Sequence, residues 1–378
     1  MDSAEPSEAY RRYREKTVFG SLDGLRCLCI ALVLWHHRPF LFSEATELPR
    51  ILSRGFTGVD FFFVLSGFLI TTLLLREEDR NGRFSLTGFY RRRFFRIIPL
   101  YFLVVTVCAV WWIGVRGQGQ WWGYLPYYYG FLANFLEGDI PLLAPTWSLS
   151  VEEQYYLIWP ALLLLIPMLK WRVPLVTGLI VAIYATAEGF LPWLAVAETA
   201  RARIVLPDPA YGAILIGSLV ALVLHRPKGF GVVWRVLGHR ASPLVLMLAL
   251  MAAWQVLPVD LLGWPGLVMH LLMAGVLTGL VLREDHVLAD ALRWRPVARV
   301  GEISYGLYLW HLFGLHIGFE AAKYLGFQGL VAGWVALPIY LAAAVVIAEI
   351  SFRWFESYFL RLKSKSPQHG GRGLRPSD

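Results

Sequence analysis

The sequence predicts an all-α fold: a polytopic transmembrane helical bundle of about ten spans with both termini in the cytoplasm. Three observations carry this. The 378-residue chain is 57% hydrophobic and only 16% charged, with a mean hydropathy of +0.53. A soluble domain needs more polar side chains than that to cover its surface. Apolar stretches recur at close to the roughly 20-residue length that crosses hydrocarbon. The basic residues cluster between those stretches, on alternate sides.

The stretches fall at residues 24–42, 59–75, 97–115, 145–169, 174–193, 208–225, 242–257, 265–282, 303–320 and 330–349. Between the third and fourth, the segment Trp111–Leu136 holds Trp111, Trp112, Trp121, Trp122, Tyr124 and Tyr127 to Tyr129. Amphipathic rings favour the membrane–water boundary, so this segment is expected to be interfacial or re-entrant. With a cytoplasmic N-terminus, Arg38, Arg50, Arg54, Arg116, Arg201, Arg203 and Lys323 fall outside, leaving 28 of the 35 Lys and Arg inside. Residues 1–20 then form a polar cytoplasmic segment, 21–360 the membrane domain and 361–378 a basic, disordered cytoplasmic tail. The polar start shows no cleavable signal peptide, so the first apolar stretch is read as a retained span in the inner (plasma) membrane.

The net charge of +8 is not a nucleic-acid footprint, because it comes in short clusters between apolar runs. Cys27, Cys29 and Cys108 lack metal-ligand spacing and predict neither a disulfide framework nor a zinc site. No phosphate-cradling or dinucleotide glycine motif is present, which disfavours ATP and NAD.

Ionisable groups inside spans are costly and therefore functional candidates. The first span reads LDGLRCLCIALVLWHH. Arg26 and His37 are eleven residues apart, about three turns, and share a helix face. The second span, GVDFFFVLSGF, carries Asp60 near its outer end. The fourth, TWSLSVEEQYYLIWP, carries Glu152 and Glu153 in its outer half, one expected to face the bundle and the other lumenal water or a partner helix. Topology thus puts His37, Asp60 and a glutamate at similar depth, the makeup of a general base with an orienting acid. A structural ion network is the competing reading. In FYRRRFFRIIPLY, Arg93 and Arg96 share a face at i, i+3, suited to topology anchoring or to clamping phosphate. The ninth span opens GEISYGLYLWH. Ser304 is the expected helix start, Gly306 allows close helix approach, and His311 is a candidate for the same cavity. Tyr308 and Trp310 read as core or lipid-facing.

Four blocks in order, LDGLRCLCIALVLWHH, GVDFFFVLSGFLIT, FYRRRFFRIIPLY with TWSLSVEEQYYLIWP, and ISYGLYLWH, resemble the membrane acyltransferase-3 family of bacterial polysaccharide and antibiotic O-acyltransferases. The resemblance runs from Leu22 to about Glu356. It implies a ten-helix core and transfer of an acyl group, usually acetyl, from acyl-CoA to a hydroxyl. The family's arginine–ten residues–histidine pattern lands on Arg26 and His37, selecting His37 over His36. Its paired arginines land on Arg93 and Arg96 and imply contact with CoA; its acidic fourth-span position lands on Glu152. The late Glu-Arg-Pro element reads FESYFLRL here, so Glu356 fits and the Arg-Pro is missing. Some relatives carry a C-terminal esterase-like domain; this sequence shows none.

The expected reaction is therefore acyl-CoA-dependent O-acylation. His37 acts as general base, with Glu152 or Asp60 orienting it. Arg93, Arg96 and Arg26 bind acyl-CoA, and Ser66, Tyr156 and His311 line the cavity. An acyl-His37 intermediate is the ping-pong variant. The co-substrate is acyl-CoA, with no permanently bound cofactor and no metal. The acceptor is a hydroxyl-bearing glycan, a lipid-linked sugar or an antibiotic. The rival is a proton-coupled transporter or flippase using the same buried groups.

Overall fold

The computed structural model describes residues 6–16, 18–39, 49–166, 168–258 and 260–364. Among these residues the chain is a helical bundle with one small hairpin. The first helix, α1 (Pro6–Glu15), lies within the polar segment expected at the N-terminus. It docks by burying Ala9 and Tyr13, while the Arg76 guanidinium donates to the carbonyls of Lys16 and Tyr13.

Every expected span coincides with a helix. In chain order these are α2 (Leu22–His36), α3 (Thr57–Asn81) and α4 (Leu86–Ala109). After the short α5 (Leu125–Tyr129) come α6 (Thr146–Leu165), α7 (Leu169–Ala187) and α8 (Ala210–Leu224). The short α9 (Pro227–Leu237) is followed by α10 (Ser242–Val256) and α11 (Trp264–Leu282). Two short helices, α12 (Ala289–Arg293) and α13 (Arg295–Glu302), precede α14 (Ser304–Tyr324) and α15 (Gly329–Ile350). The last helix is α16 (Ser357–Ser364).

Among the described residues, five helical stretches are long and apolar enough to cross a membrane: Arg50–Asn81, Leu86–Val115, Leu169–Ala187, Trp264–Leu282 and Gly329–Leu362. The bent pair α8 and α9, meeting at 108°, makes a sixth only when counted as one broken span rather than a re-entrant loop. The helices α2, α6, α10 and α14 are shorter or carry more polar side chains.

Boundaries differ from expectation in informative places. The first span was expected to run to residue 42. Its helix ends at His36, with His37 as the capping residue, and residues 40–48 lie outside the described set. Ser85 caps α4 by accepting from the Gly88 amide at 3.0 Å, which carries the helix well below residue 97 and places Arg93 and Arg96 within it. Ser304 does start α14. Residues 361–364 continue α16; the rest of the expected tail lies outside the described residues.

Two helix junctions are drawn together by missing side chains. A Cβ on Gly67 of α3 would collide with the Ile214 carbonyl of α8, and one on Gly217 of α8 with the Val64 carbonyl of α3. Each glycine admits the other helix's backbone. At Gly306, expected to allow close helix approach, a Cβ would lie 2.7 Å from the Glu356 carboxylate.

The Trp-rich segment is a chain of short helical turns. A π-helix (Val110–Val115) extends α4, followed by 3-10 turns at Gly119–Tyr124 and Ala133–Phe135. It packs on α4 through Tyr101, whose ring stacks on Phe131 at 4.4 Å and whose hydroxyl donates to the Tyr128 carbonyl. The antiparallel hairpin β1 (Leu194–Glu198) and β2 (Arg203–Leu206) joins this cap through an isolated bridge between Leu136 and Ala202. Buried side chains fall into two groups. One gathers around α3, α8 and α11, the other around α4, α14 and the aromatic cap. The cavity described next is lined by residues of α2, α3, α4, α6 and α14.

Candidate active site

A cavity of about 520 Å³ is walled by these five helices. From α3 it takes residues from Val59 to Arg76, a stretch of 17 steps or about 25 Å of helix. One end is cationic, with Arg26, Arg76, Arg93 and Arg96 all in the lining. Arg76 is committed to backbone carbonyls of the N-terminal segment. Arg26 pairs with Asp23 one turn earlier. Arg93 lies over the Tyr156 ring at 5.4 Å and the Phe89 ring at 5.8 Å. Arg96 has no hydrogen bond or ion pair among the described residues, and it faces the cavity. The i, i+3 spacing therefore delivers both arginines of α4 to one space, and their donors remain available.

Midway, Ser66 of α3 donates to the Glu152 carboxylate of α6 at 2.6 Å, with Tyr156 alongside. All three line the cavity. Serine and tyrosine hydroxyls soften the cost of a carboxylate in this setting. Glu153, the neighbour expected to face water or a partner helix, is not in the lining. One of its carboxylate oxygens is buried with no hydrogen-bond partner among the described residues.

Ser148 and Tyr308 also line the cavity. Their hydroxyls lie 2.6 Å apart, and Tyr308 also donates to the Pro145 carbonyl at 2.9 Å. Tyr308 is a buried core residue, as expected, and also a wall of the cavity. Its own carbonyl lies 2.6 Å from Nδ1 of His311. Nε2 of His311 lies 3.3 Å from Nδ1 of His37, which also lies 3.0 Å from the Val33 carbonyl. The two rings sit 4.8 Å apart. His311 was expected to share a cavity with His37; neither histidine is in the lining of this cavity, and His311, fully buried, is in contact with His37. His36 is exposed, with its ring edge-on to His37 at 4.8 Å and to Phe56 at 5.9 Å.

The expected convergence of Asp60 and Glu152 on His37 is not what the helices deliver. Asp60 faces His270 of α11 at 3.8 Å, and His270 in turn bonds the Tyr184 hydroxyl of α7. Glu152 is bonded to Ser66. Sequence direction gives the depth of a residue in the bundle but not its rotation about the helix axis, and rotation decides the partner. His270 was missed altogether, although a lone histidine in the apolar run WPGLVMHLLMAG is the signal that should have marked it. The Ser148–Tyr308 contact was likewise not foreseen. Among the described residues, no group of three or more His, Cys, Asp or Glu is placed to hold a metal, and all three cysteines are free thiols.

The comparisons with known proteins fit this geometry. The chain is 29% identical over 370 residues to the peptidoglycan O-acetyltransferase OatA of Listeria monocytogenes, covering 92% of this chain and 56% of that protein. It is 27% identical over 328 residues to the putative peptidoglycan O-acetyltransferase YrhL of Bacillus subtilis, covering 80% and 49%. It is 25% identical over 382 residues to the O-acetyltransferase OatA of Staphylococcus aureus, covering 94% and 59%. The chain thus spans about half the length of these relatives. No solved structure matches it. The profile of the acyltransferase domain family matches residues 19–352, nearly the whole chain and every element of the site just described. The resemblance carried by the four motif blocks therefore holds: the chain belongs to the acyltransferase-3 family of membrane acyltransferases.

Proposed function

We propose that this chain is an integral-membrane O-acetyltransferase that moves an acetyl group from acetyl-CoA to a hydroxyl of a glycan, with peptidoglycan as the acceptor its relatives' names suggest. In this reading the ten helices of the expected spans all cross the plasma membrane, both termini are cytoplasmic, and the arginine end of the cavity opens toward the cytoplasm, where CoA is made. The carrying observation is the single cavity that runs from Arg26, Arg93 and Arg96 to Tyr308, whose carbonyl holds the histidine beside His37.

Guanidinium forks match phosphate oxygens, so Arg93 and Arg96 take the phosphates of CoA, with Arg26 contributing charge. The pantetheine arm lies along the cavity past Ser66, Glu152 and Tyr156, whose polar atoms accept and donate to its amides. Outward movement of Tyr308 or Ser148 brings the thioester carbonyl to His37. The acceptor hydroxyl attacks that carbonyl while the His37 imidazole takes its proton. The carbon–sulfur bond breaks, and the CoA thiolate leaves and receives the proton from the imidazolium. The ester and free CoA are the products. Glu152 balances the arginine charge and fixes the donor. Asp60, paired with His270, ties α3 to α11 beside the site.

The test is to incubate membranes holding this chain with radiolabelled acetyl-CoA and peptidoglycan fragments, and to follow both label transfer and CoA release. Acceptor-dependent CoA release supports the reading. Transport of label with no CoA release overturns it.

A further inference from the structure

We infer that His311 is the positioning residue for His37, in the place where a carboxylate was expected. The inference rests on the reading of His37 as general base. The hydrogen-bond chain assigns the tautomers. The Tyr308 carbonyl can only accept, so His311 Nδ1, 2.6 Å away, carries the hydrogen. His311 Nε2 is then left with its lone pair. Nδ1 of His37 faces that lone pair at 3.3 Å and the Val33 carbonyl at 3.0 Å, two acceptors. Nδ1 of His37 therefore carries a hydrogen, and Nε2 is bare. The bare nitrogen is the one that takes the acceptor's proton.

Among the described residues no carboxylate competes for this role. Asp60 faces His270, and Glu152 is bonded to Ser66. Among the described residues the ring and polar neighbours of His37 are His36, His311 and the Val33 carbonyl. A neutral partner suits the location. A carboxylate here would add a permanent charge to a buried site, whereas two imidazoles are neutral at rest. When His37 takes the proton, its Nδ1–H bond to His311 becomes charge-assisted and strengthens. His311 thereby favours the transition state over the bound ground state, which is an effect on kcat. The Val33 carbonyl alone still favours the same tautomer, so losing His311 weakens catalysis without abolishing it.

The experiment uses the full chain in liposomes with [14C]acetyl-CoA and a soluble fragment of alternating N-acetylglucosamine and N-acetylmuramic acid. H311F keeps a ring and removes the acceptor. H311Q restores an amide oxygen for His37 and an amide hydrogen for Tyr308. We expect H311F to lower kcat about 10- to 100-fold with the KM for acetyl-CoA nearly unchanged, and H311Q to recover most of the loss. Wild-type kcat in H311F, or equal losses in both variants, overturns the inference. If H311F does not fold, H311M takes its place. Nitrogen-15 NMR of histidine-labelled protein, with His37 assigned by its loss in H37A, gives an independent readout: a protonated His37 Nδ1 whose signal shifts in H311F supports it, and a protonated Nε2, or a Nδ1 signal unmoved in H311F, overturns it. Activity in H37A would sink the general-base reading itself; an inactive H37A with a normal H311F sinks only the role of His311.

Discussion

Nε2 of His311 meets Nδ1 of His37 at 3.3 Å across the contact between α14 and α2. The two residues are 274 positions apart in sequence, yet one ring fixes the orientation of the other. Behind them, Tyr308 gives its carbonyl to His311 and its side chain to the wall of the cavity. In the proposed reaction, donor binding and proton transfer are therefore adjacent along one helix.

Among the described residues Arg96 is the cavity arginine without a hydrogen-bond, ion-pair or ring partner, so its loss should be felt by the donor and little by the fold. Arg96→Ala is expected to raise the KM for acetyl-CoA about 10- to 100-fold, the equivalent of one charge-assisted hydrogen bond of roughly 1.5–3 kcal/mol. Acetyl-pantetheine, which lacks the phosphates, should show no such difference between variant and wild type. An equal defect with both donors would argue against a phosphate contact.

The two carboxylates once expected to share a task should separate experimentally. Glu152→Ala strips Ser66 of its acceptor within the cavity and is expected to cut kcat/KM at least about tenfold. Asp60→Asn disturbs only the pairing with His270. It should lower the melting temperature while leaving turnover within about threefold, given the small worth of a loose, partly exposed pair. Comparable losses of turnover in both would return Asp60 to the catalytic site.

Much of this was legible in the sequence. Hydropathy located the helices because a span must satisfy its backbone internally and so reads as a continuous apolar run. The spacing of Arg93 and Arg96 put them on one face because helix geometry is local. Partnerships across helices were less legible. Asp60 met His270, and His37 met His311, because packing sets helix rotation and no local signal in the chain encodes it. The docking of α1 was hidden for a similar reason: a polar, charged segment gives no hint that Ala9 and Tyr13 will be buried until α3 presents Arg76 to it.

The glycines at the α3–α8 crossing predict a sharp steric result. Gly67→Ala and Gly217→Ala each place a methyl against a backbone carbonyl, where overpacking costs roughly 1–3 kcal/mol or more. Both should lower folded yield strongly, by fluorescence-detected gel filtration of detergent extracts. Gly231→Ala, which meets nothing within 4 Å, should behave as wild type. Normal yields from both crossing variants would mean the helices do not approach this closely.

On the α11–α12 side, His286 bonds the Ser21 hydroxyl at 2.9 Å while its Nδ1 is buried with no partner among the described residues. Burial first, and then the charges of Arg293 and Lys16, push its pKa down to about 4 from the ordinary value near 6.5. The folded value lies below the unfolded one, so protonation favours the unfolded chain. Its stabilising contribution is complete above about pH 6.5 and is lost as pH falls toward about 4. Melting temperatures in detergent should therefore drop between pH 7.5 and 5. His286→Gln, which keeps a bond to Ser21, should flatten that drop; an unchanged slope would place the acid sensitivity elsewhere.

The most direct test of the whole account is transfer of [14C]acetyl from acetyl-CoA to peptidoglycan fragments by membranes carrying His37→Ala, beside His36→Ala as the adjacent control. The account predicts that His37→Ala abolishes transfer while the protein stays folded in the membrane, and that His36→Ala, exposed and outside the His37–His311 contact, retains most of it. Transfer by His37→Ala at the wild-type rate would contradict it.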